Sequence, residues 1–532
     1  MVDARAGMNA PPARAHALRP HTPRMPRSAA FAAPKADTSA FESGSCQQRF
    51  SFHLPDQVFC FQSSAHYLTC QHQTQTYRPF RRRGGREPRF GSKSRFLGPD
   101  FRPPLSKEPF VNQQTSAPRR FTTLFAESMA IGRKPNGGTD RMALTPDDCA
   151  HRSWFVKQLR EVGAEVRIDA AGNIFGLFTW DNSAPYILCG SHLDSQENGG
   201  VLDGAYGVVA ALCAARAVDK AVRAGQLAPK ANLAVVDWTN EEGARFEPSL
   251  MGSRVFTSSL RLSDVEQAQD LDGMRFDDAL REGGWQGTDE PPQAAAYFEL
   301  HVEQGPVLEA ADVSIGAVTG NWAAVKMDMR ILGEQSHTGS TPMSLRKDAL
   351  YGMALLTVAA RELADDFARR SIELRTSVTK VQLFPHSPNI VTSECQLHLE
   401  IRAESEENAR EAAKQLTNRF TEIEAASSTR IKVTDTEMRP SMAFPESGIS
   451  LIERAATTCG ITCMRTKTVC GHDAVALAAH APTALMFVPS VGSHAHAPNE
   501  FTKPEDLANG VRTLEQALRI CVANGDFPAE GE

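Results

Sequence analysis

No stretch of this 532-residue chain approaches the roughly 18–20 consecutive apolar residues that a helix needs to span a bilayer, so a helical membrane protein is excluded. Its 11 cysteines include no CxxC pair, and the nearest approach, Cys459 and Cys463, brackets "GIT". An odd number of scattered cysteines in so long a chain points to free thiols in a reducing, cytoplasmic setting rather than to a disulfide framework. Positive charge is also lacking: the net charge is −6, with 19 Lys+Arg against 7 Asp+Glu in residues 1–120 and 38 against 56 in the remainder. The acidic body gives no reason to expect a nucleic-acid partner. With 41% hydrophobic and 23% charged residues, the chain can bury a large core in two or three domains.

Residues 1–120 differ in texture, being rich in Arg, Pro, Ser and Gln, as in "RPHTPRMPRSAA" and "RPFRRRGGREPRF". Neither a 3.6 nor a 2 period persists, so this segment is expected to be disordered. Three readings compete: an organelle transit peptide, a basic tail for an acidic partner, or a translation start that truly lies downstream, near Met129. From about Phe121 helical spacing appears, with Trp154, Phe155, Leu159 and Val162 ahead of a capping Gly163. "EVRIDAAGNIFGLF" then reads as two strands joined by a turn.

What is present after that is a recurring order. "PYILCGSHLDS" is a short apolar strand ending at His192, and Asp203 stands at the entrance of the Ala-rich helix that follows. "ANLAVVDWTNEEGARF" is a second strand, with Glu241 and Glu242 past its end; "YFELHVEQG" carries His301, and "TALMFVPSVGSHAHAPNEF" runs into His494 and His496. Strand–loop–helix alternation argues for an α/β fold with a mostly parallel sheet, which gathers its ligands beyond the strands' carboxyl ends. One such residue is ordinarily a solvated loop side chain. The convergence of His, Asp, Glu, His and His on one edge is instead the ligand set of a two-metal site suited to Zn²⁺ or Mn²⁺. Glycines 199, 200, 204 and 207 around Asp203 are expected to leave clearance for the metals.

With these residues in hand, the sequence resembles the hydantoinase/carbamoylase family of M20-type dinuclear amidohydrolases. That family includes N-carbamoyl-L-amino acid hydrolases, β-ureidopropionases and allantoate amidohydrolases. The likeness runs over about 122–525, through "GSHLDS", "NGGVLDGAYGV", "WTNEEGARFEPSLMGS", "ELHVEQGPVLE", "GEQSHTGSTPM", "SPNIVTSECQLHLEIR" and "GSHAHAPNEF". The resemblance implies two divalent ions per subunit (Zn or Mn, with Co or Ni as alternatives). His192 and Glu242 would lie on opposite metals, Asp203 would bridge them, and His301 and His496 would complete the set. Asp194 would orient the His192 imidazole, and Glu241 would be the general base. At the last histidine the chain departs from the family pattern: counting back from "PNE" selects His496, whereas the preceding serine favours His494. The implied reaction is hydrolysis of the ureido C–N bond of an N-carbamoyl-L-amino acid or N-carbamoyl-β-alanine. Allantoate hydrolysis is the alternative, and an M20-type peptidase or deacylase a more remote one.

Between about 320 and 435 the pattern changes to "AAVKMDMRI", a helix "RKDALYGMALLTVAARELADDF", strands "SVTKVQLF" and "QLHLEIRA", and a helix "SEENAREAAKQLTNRFTEIEAA". A βαββαβ-like order predicts an inserted α+β lid between catalytic halves 121–319 and 436–526. By resemblance the lid forms a homodimer, and His337, near a predicted helix start, reaches the active site across it to stabilise the oxyanion. Asn389 and Arg402 match the family's clamp for the substrate carboxylate. Gln304 is the expected partner of the ureido group, and His472 in "GHDA" is expected to line the pocket.

Overall fold

The computed structural model describes residues 117–527, all within one compact unit, Pro104–Glu532. Residues 1–116, and with them nearly all of the segment expected to be disordered, lie outside the described residues. Its end is corrected: residues 117–120 open a helix, Ala117–Ala130, four positions before the sequence texture changes. Phe121 and Phe125 of that helix stack at 5.0 Å and meet Tyr206 edge-on at 5.6 and 6.1 Å. The sequence hides this helix because its apolar stripe is short and framed by polar residues.

A nine-stranded mixed sheet forms the larger layer. Its centre is four adjacent parallel strands in the order Asn232–Asp237, Tyr186–Ser191, Ala294–Val302 and Thr483–Val488. His301 lies within the last pleat of Ala294–Val302, and the loops after the other three strands carry His192, Glu241/Glu242 and His496. The flanks are antiparallel: the hairpin Glu165–Ile168/Ile174–Phe178 on one side and Ile315–Asn321 on the other. Asn232–Asp237 and Thr483–Val488 are buried at every position, as continuous apolar strands are when helices cover both faces. Helix Ala205–Arg223 presents mostly alanine and valine to the sheet and to helix Pro504–Asn524, so the backbones pack closely.

The second sheet is antiparallel, in the order Arg430–Arg439, Ala323–Leu332, Glu394–Ala403, Leu374–Phe384. Ala323–Leu332 buries Val325, Met327, Met329 and Ile331 against its own helices and turns Lys326, Asp328 and Arg330 to the other face. Helices Ala349–Arg369, Glu406–Asn418 and Phe420–Ser427 cover the apolar face. Two readings of this region are corrected. The stretch expected to be one helix breaks at Arg419, whose guanidinium reaches the Ala359 carbonyl and Glu362 on the neighbouring helix. His337 does not stand at a helix start. It lies in a two-residue strand, Ser336–His337, paired with Ile390–Val391, and the helix begins at Ala349.

Candidate active site

Because the four central strands are parallel, their C-terminal loops emerge on one edge, and the side chains they carry meet around Asp203. Its Oδ1 lies 3.0 Å from His301 Nε2 and 3.6 Å from His192 Nε2, and its Oδ2 lies 3.1 Å from His496 Nε2. His496 Nε2 is also 3.6 Å from Glu242 Oε2. Two donor groups therefore share Asp203: His192, Asp203 and His301 in one, and Asp203, Glu242 and His496 in the other, with ligand atoms in each lying within 4.8 Å of one another. His494 is exposed beside Gly492 and takes no part.

The tautomers favour a cation at this point. His192 Nδ1 lies 2.9 Å from the Asp194 carbonyl oxygen and His301 Nδ1 2.9 Å from that of Val302, so both Nδ1 atoms carry the proton. Both Nε2 lone pairs then face carboxylate oxygens, and His301 Nε2 additionally accepts the Gly204 N–H at 3.1 Å. Glu242 Oε1 is buried without a hydrogen-bond partner. Lone pairs converging on one another with an acceptor left over are relieved by positive charge, and an imidazole–carboxylate set suits a binuclear divalent centre. A third group, Glu299, His301 and His472, is less free: Glu299 accepts from Ser191 Oγ and the Ala474 N–H, and His472 Nε2 bonds Thr468 Oγ1. His472 lines the cavity with its ring edge-on to His301 at 4.7 Å.

Burial works to raise the Asp203 carboxyl, but the imidazoles of His192, His301 and His496 around it hold it well below the usual carboxylate range. Glu241 is different. Burial pushes it well above its ordinary value, and the acids Asp473, Glu242 and Asp194 add to this against the opposing effect of His192. It is 8% exposed, with Oε2 3.5 Å from His192 Nε2. A carboxyl whose proton affinity is raised, beside this donor cluster, is suited to proton transfer.

Adjacent glutamates can both face the cavity because this loop is neither helix nor strand. Asn240 takes a left-handed φ of 55° and ties its side chain to the Phe246 carbonyl at 2.7 Å. Asp194 then accepts the Glu241 N–H on Oδ1 (3.1 Å) and the Glu242 N–H on Oδ2 (3.2 Å). This differs from the expected role of Asp194, since its carbonyl makes the closer contact to His192 and its carboxylate, 3.6 Å from Nδ1, chiefly anchors the glutamate pair.

The glycines also make room for protein groups. A Cβ on Gly204, whose φ is +63°, would stand 2.4 Å from the His192 ring, and one on Gly200 would strike the Glu500 carboxylate. Glu500 and Gln196 went unread in the sequence. Glu500 Oε2 accepts the Leu202 and Asp203 N–H groups at 2.8 and 3.2 Å, and Gln196 donates to Glu242 Oε2 at 2.8 Å. The only available signals were the glutamate of "PNE" and the glutamine four residues past His192.

A cavity of about 390 Å³ opens on this cluster and is also lined by Arg402, Arg439, Lys326 and Arg254. Gln304, expected to meet the ureido group, donates to Asp203 Oδ2 at 2.7 Å, while its Oε1 stays buried and unpartnered. Arg402 lines the cavity, but Asn389 and His337 do not: both are exposed on the paired ribbon, where Thr338 donates to the Asn389 carbonyl. The pair Asn389/Arg402 is thus not assembled within one chain.

The family model for Peptidase family M20/M25/M40 matches residues 188–520, which contain every side chain of the Asp203 cluster. The crystal structure of an amidase of the hydantoinase/carbamoylase family from Burkholderia vietnamiensis superposes with a TM-score of 0.72 at 29% identity, covering 77% of this chain and 99% of that one.

The chain belongs to the hydantoinase/carbamoylase family of M20-type amidohydrolases.

As a member of this family it is a hydrolase acting on carbon–nitrogen bonds other than peptide bonds. A protein of Mycolicibacterium smegmatis whose name says only that it is a hydrolase is 40% identical over 78% of this chain and 96% of its own length. The N-carbamoyl-L-amino acid amidohydrolase of Geobacillus stearothermophilus is 31% identical over 72% of this chain and 93% of its own. Other family members that match carry different substrate names, allantoate amidohydrolase in Escherichia coli (30% identical) and ureidoglycolate hydrolase in Arabidopsis thaliana (28%). No helix among the described residues is long and apolar enough to cross a membrane.

Proposed function

We propose that this chain hydrolyses the ureido C–N bond of N-carbamoyl-L-amino acids, with N-carbamoyl-β-alanine as the second candidate, releasing the amino acid, CO2 and ammonia. The observation that carries the reading is an arginine fork, Arg402, in the same cavity as the Asp203 cluster. A planar guanidinium suits a carboxylate in bidentate geometry, and the free carboxylate is what these substrates present beside the ureido group. The family relatives named for N-carbamoyl-L-amino acids agree with it.

His192, Asp203, Glu242, His301 and His496 would hold two divalent cations, Zn or Mn, with Co or Ni as alternatives. When bound, these supply Lewis-acid activation of water and of the scissile carbonyl. Glu241 takes the proton from the attacking water and returns it to the departing nitrogen, so that the C–O bond forms as the C–N bond breaks. Carbamate is thereby released and decomposes to CO2 and ammonia. Asp194 holds Glu241 and Glu242 in register through their backbone amides. Gln304 offers its free Oε1 to the ureido N–H groups. His337 and Asn389, exposed on the lid ribbon, are delivered to the cavity of a partner subunit in a homodimer. There His337 supplies the oxyanion donor and Asn389 joins the partner's Arg402 on the carboxylate. The catalytic halves are 121–319 and 436–526, with 320–435 as the lid.

The test is ammonia release from N-carbamoyl-L-amino acids, N-carbamoyl-β-alanine, allantoate and an N-acetyl amino acid, with each divalent metal. Preferred turnover of N-carbamoyl amino acids is expected. Preference for allantoate or the N-acetyl compound would replace this reading with an allantoate or deacylase activity.

A further inference from the structure

Arg402 is not the only guanidinium at the cavity. In the four-stranded sheet Arg402 and Arg439 both pair in register with Ala324, one from each neighbouring strand. Directly opposed residues share a face of the sheet, and alanine between them offers no side chain to hold the two arginines apart. They converge on a single acceptor: Arg402 Nη1 and Arg439 Nη2 donate to the Val469 carbonyl at 3.0 and 3.2 Å. Three residues further on, His472 reaches the His301 ring, so the arginine pair adjoins the donor cluster through one short segment.

The charges there do not balance. Arg402 has Glu400 at 2.8 Å, whereas Arg439 makes no ion pair among the described residues and its buried Nε has no partner. The next row of the sheet, Glu400–Lys326–Glu437, brings one further cation and one further carboxylate, with Lys326 3.9 Å from Glu437, so the group as a whole keeps one positive charge in excess. Burial, and then the charge of Arg402, push the Arg439 guanidinium below its ordinary value against the opposing effects of Glu400 and Glu437. Partly buried like charges held this close require an anion, and the open side of the pair is the cavity.

We infer that Arg439 is a specificity-determining residue that forms, with Arg402, a two-guanidinium site for the single carboxylate of the substrate. The inference rests on the proposed ureido hydrolysis only for the identity of the ligand that brings the carboxylate. Two forks around one carboxylate discriminate an acid from its neutral carboxamide more sharply than one fork, because the amide leaves both cations uncompensated.

The experiment measures calorimetric binding of N-carbamoyl-L-methionine and of its carboxamide to the metal-loaded Glu241→Gln protein, with and without Arg439→Met. Steady-state constants for the otherwise wild-type enzyme accompany it. Arg439→Met should weaken the acid by roughly ten- to a hundredfold and leave the carboxamide unchanged, with the catalytic loss in KM rather than kcat. Arg439→Lys, which keeps the charge and serves if the methionine variant does not fold, should restore part of the selectivity. Equal losses for acid and carboxamide, or acid binding that ignores both substitutions, would overturn the inference. Acid-selective binding without turnover of any ureido compound would overturn the proposed reaction and leave the arginine pair standing.

Discussion

Replacing Asp194 by asparagine removes one acceptor oxygen from the carboxylate that anchors the glutamate pair while keeping its shape. Asp194 is 3% exposed, its two oxygens accept the Glu241 and Glu242 N–H groups at 3.1 and 3.2 Å, and Oδ1 lies 3.6 Å from His192 Nδ1. In the asparagine variant one peptide N–H must face an NH2 group, two donors with no water between them. Losing a charge-assisted bond of this kind costs about 1.5–3 kcal/mol. The segment that moves carries both the proposed base and a proposed ligand. Metal affinity and kcat should therefore fall together, each by about ten- to a hundredfold, the range usual for groups that orient ligands. Competition with a chelator gives the metal affinity, and turnover at saturating metal gives kcat. If metal affinity and kcat both match the wild type, Asp194 is a passive buried acid and the account of the glutamate pair is wrong.

Glu241→Gln should retain its metals by elemental analysis yet lose roughly 10²–10⁴ in turnover. Glu242→Gln should lose metal first, and a fully metallated Glu242→Gln protein would contradict the assignment. Gly204→Ala places a Cβ 2.4 Å from the His192 ring at a φ of +63°. The backbone alone should cost about 1–3 kcal/mol, so the variant should melt lower and release metal more readily. A melting temperature and metal content equal to wild type would refute the clearance argument.

The parallel centre of the large sheet and the Asp203 cluster were legible because His192, Glu241, Glu242, His301 and His496 stand at or beyond the carboxyl ends of short apolar strands. One rule about strand ends thus locates five side chains. His496 was readable from the spacing of "PNE", which also contains Glu500. The role of Glu500 was not readable, because its partners Leu202 and Asp203 lie almost 300 positions away and nothing local records that contact. Arg439 was hidden for a related reason: its significance is a register, opposite Ala324 and level with Arg402, and register across three strands is a tertiary property. The glycines drew attention for close approach, and the structure shows His192 and Glu500 approaching Gly204 and Gly200. His337 and Asn389 came from motif resemblance, and within one chain they lie on the paired ribbon rather than at the cavity.

The central claim, a ureido hydrolase that recognises a carboxylate, is tested most directly by Arg402→Lys assayed on an N-carbamoyl-L-amino acid and on its carboxamide. Lysine offers a point charge where a fork is required, so kcat/KM for the acid should fall by about ten- to a hundredfold, equivalent to 1.5–3 kcal/mol. The same substitution should leave kcat/KM for the carboxamide nearly unchanged. Equal losses on the two compounds would make Arg402 a structural residue and contradict the claim.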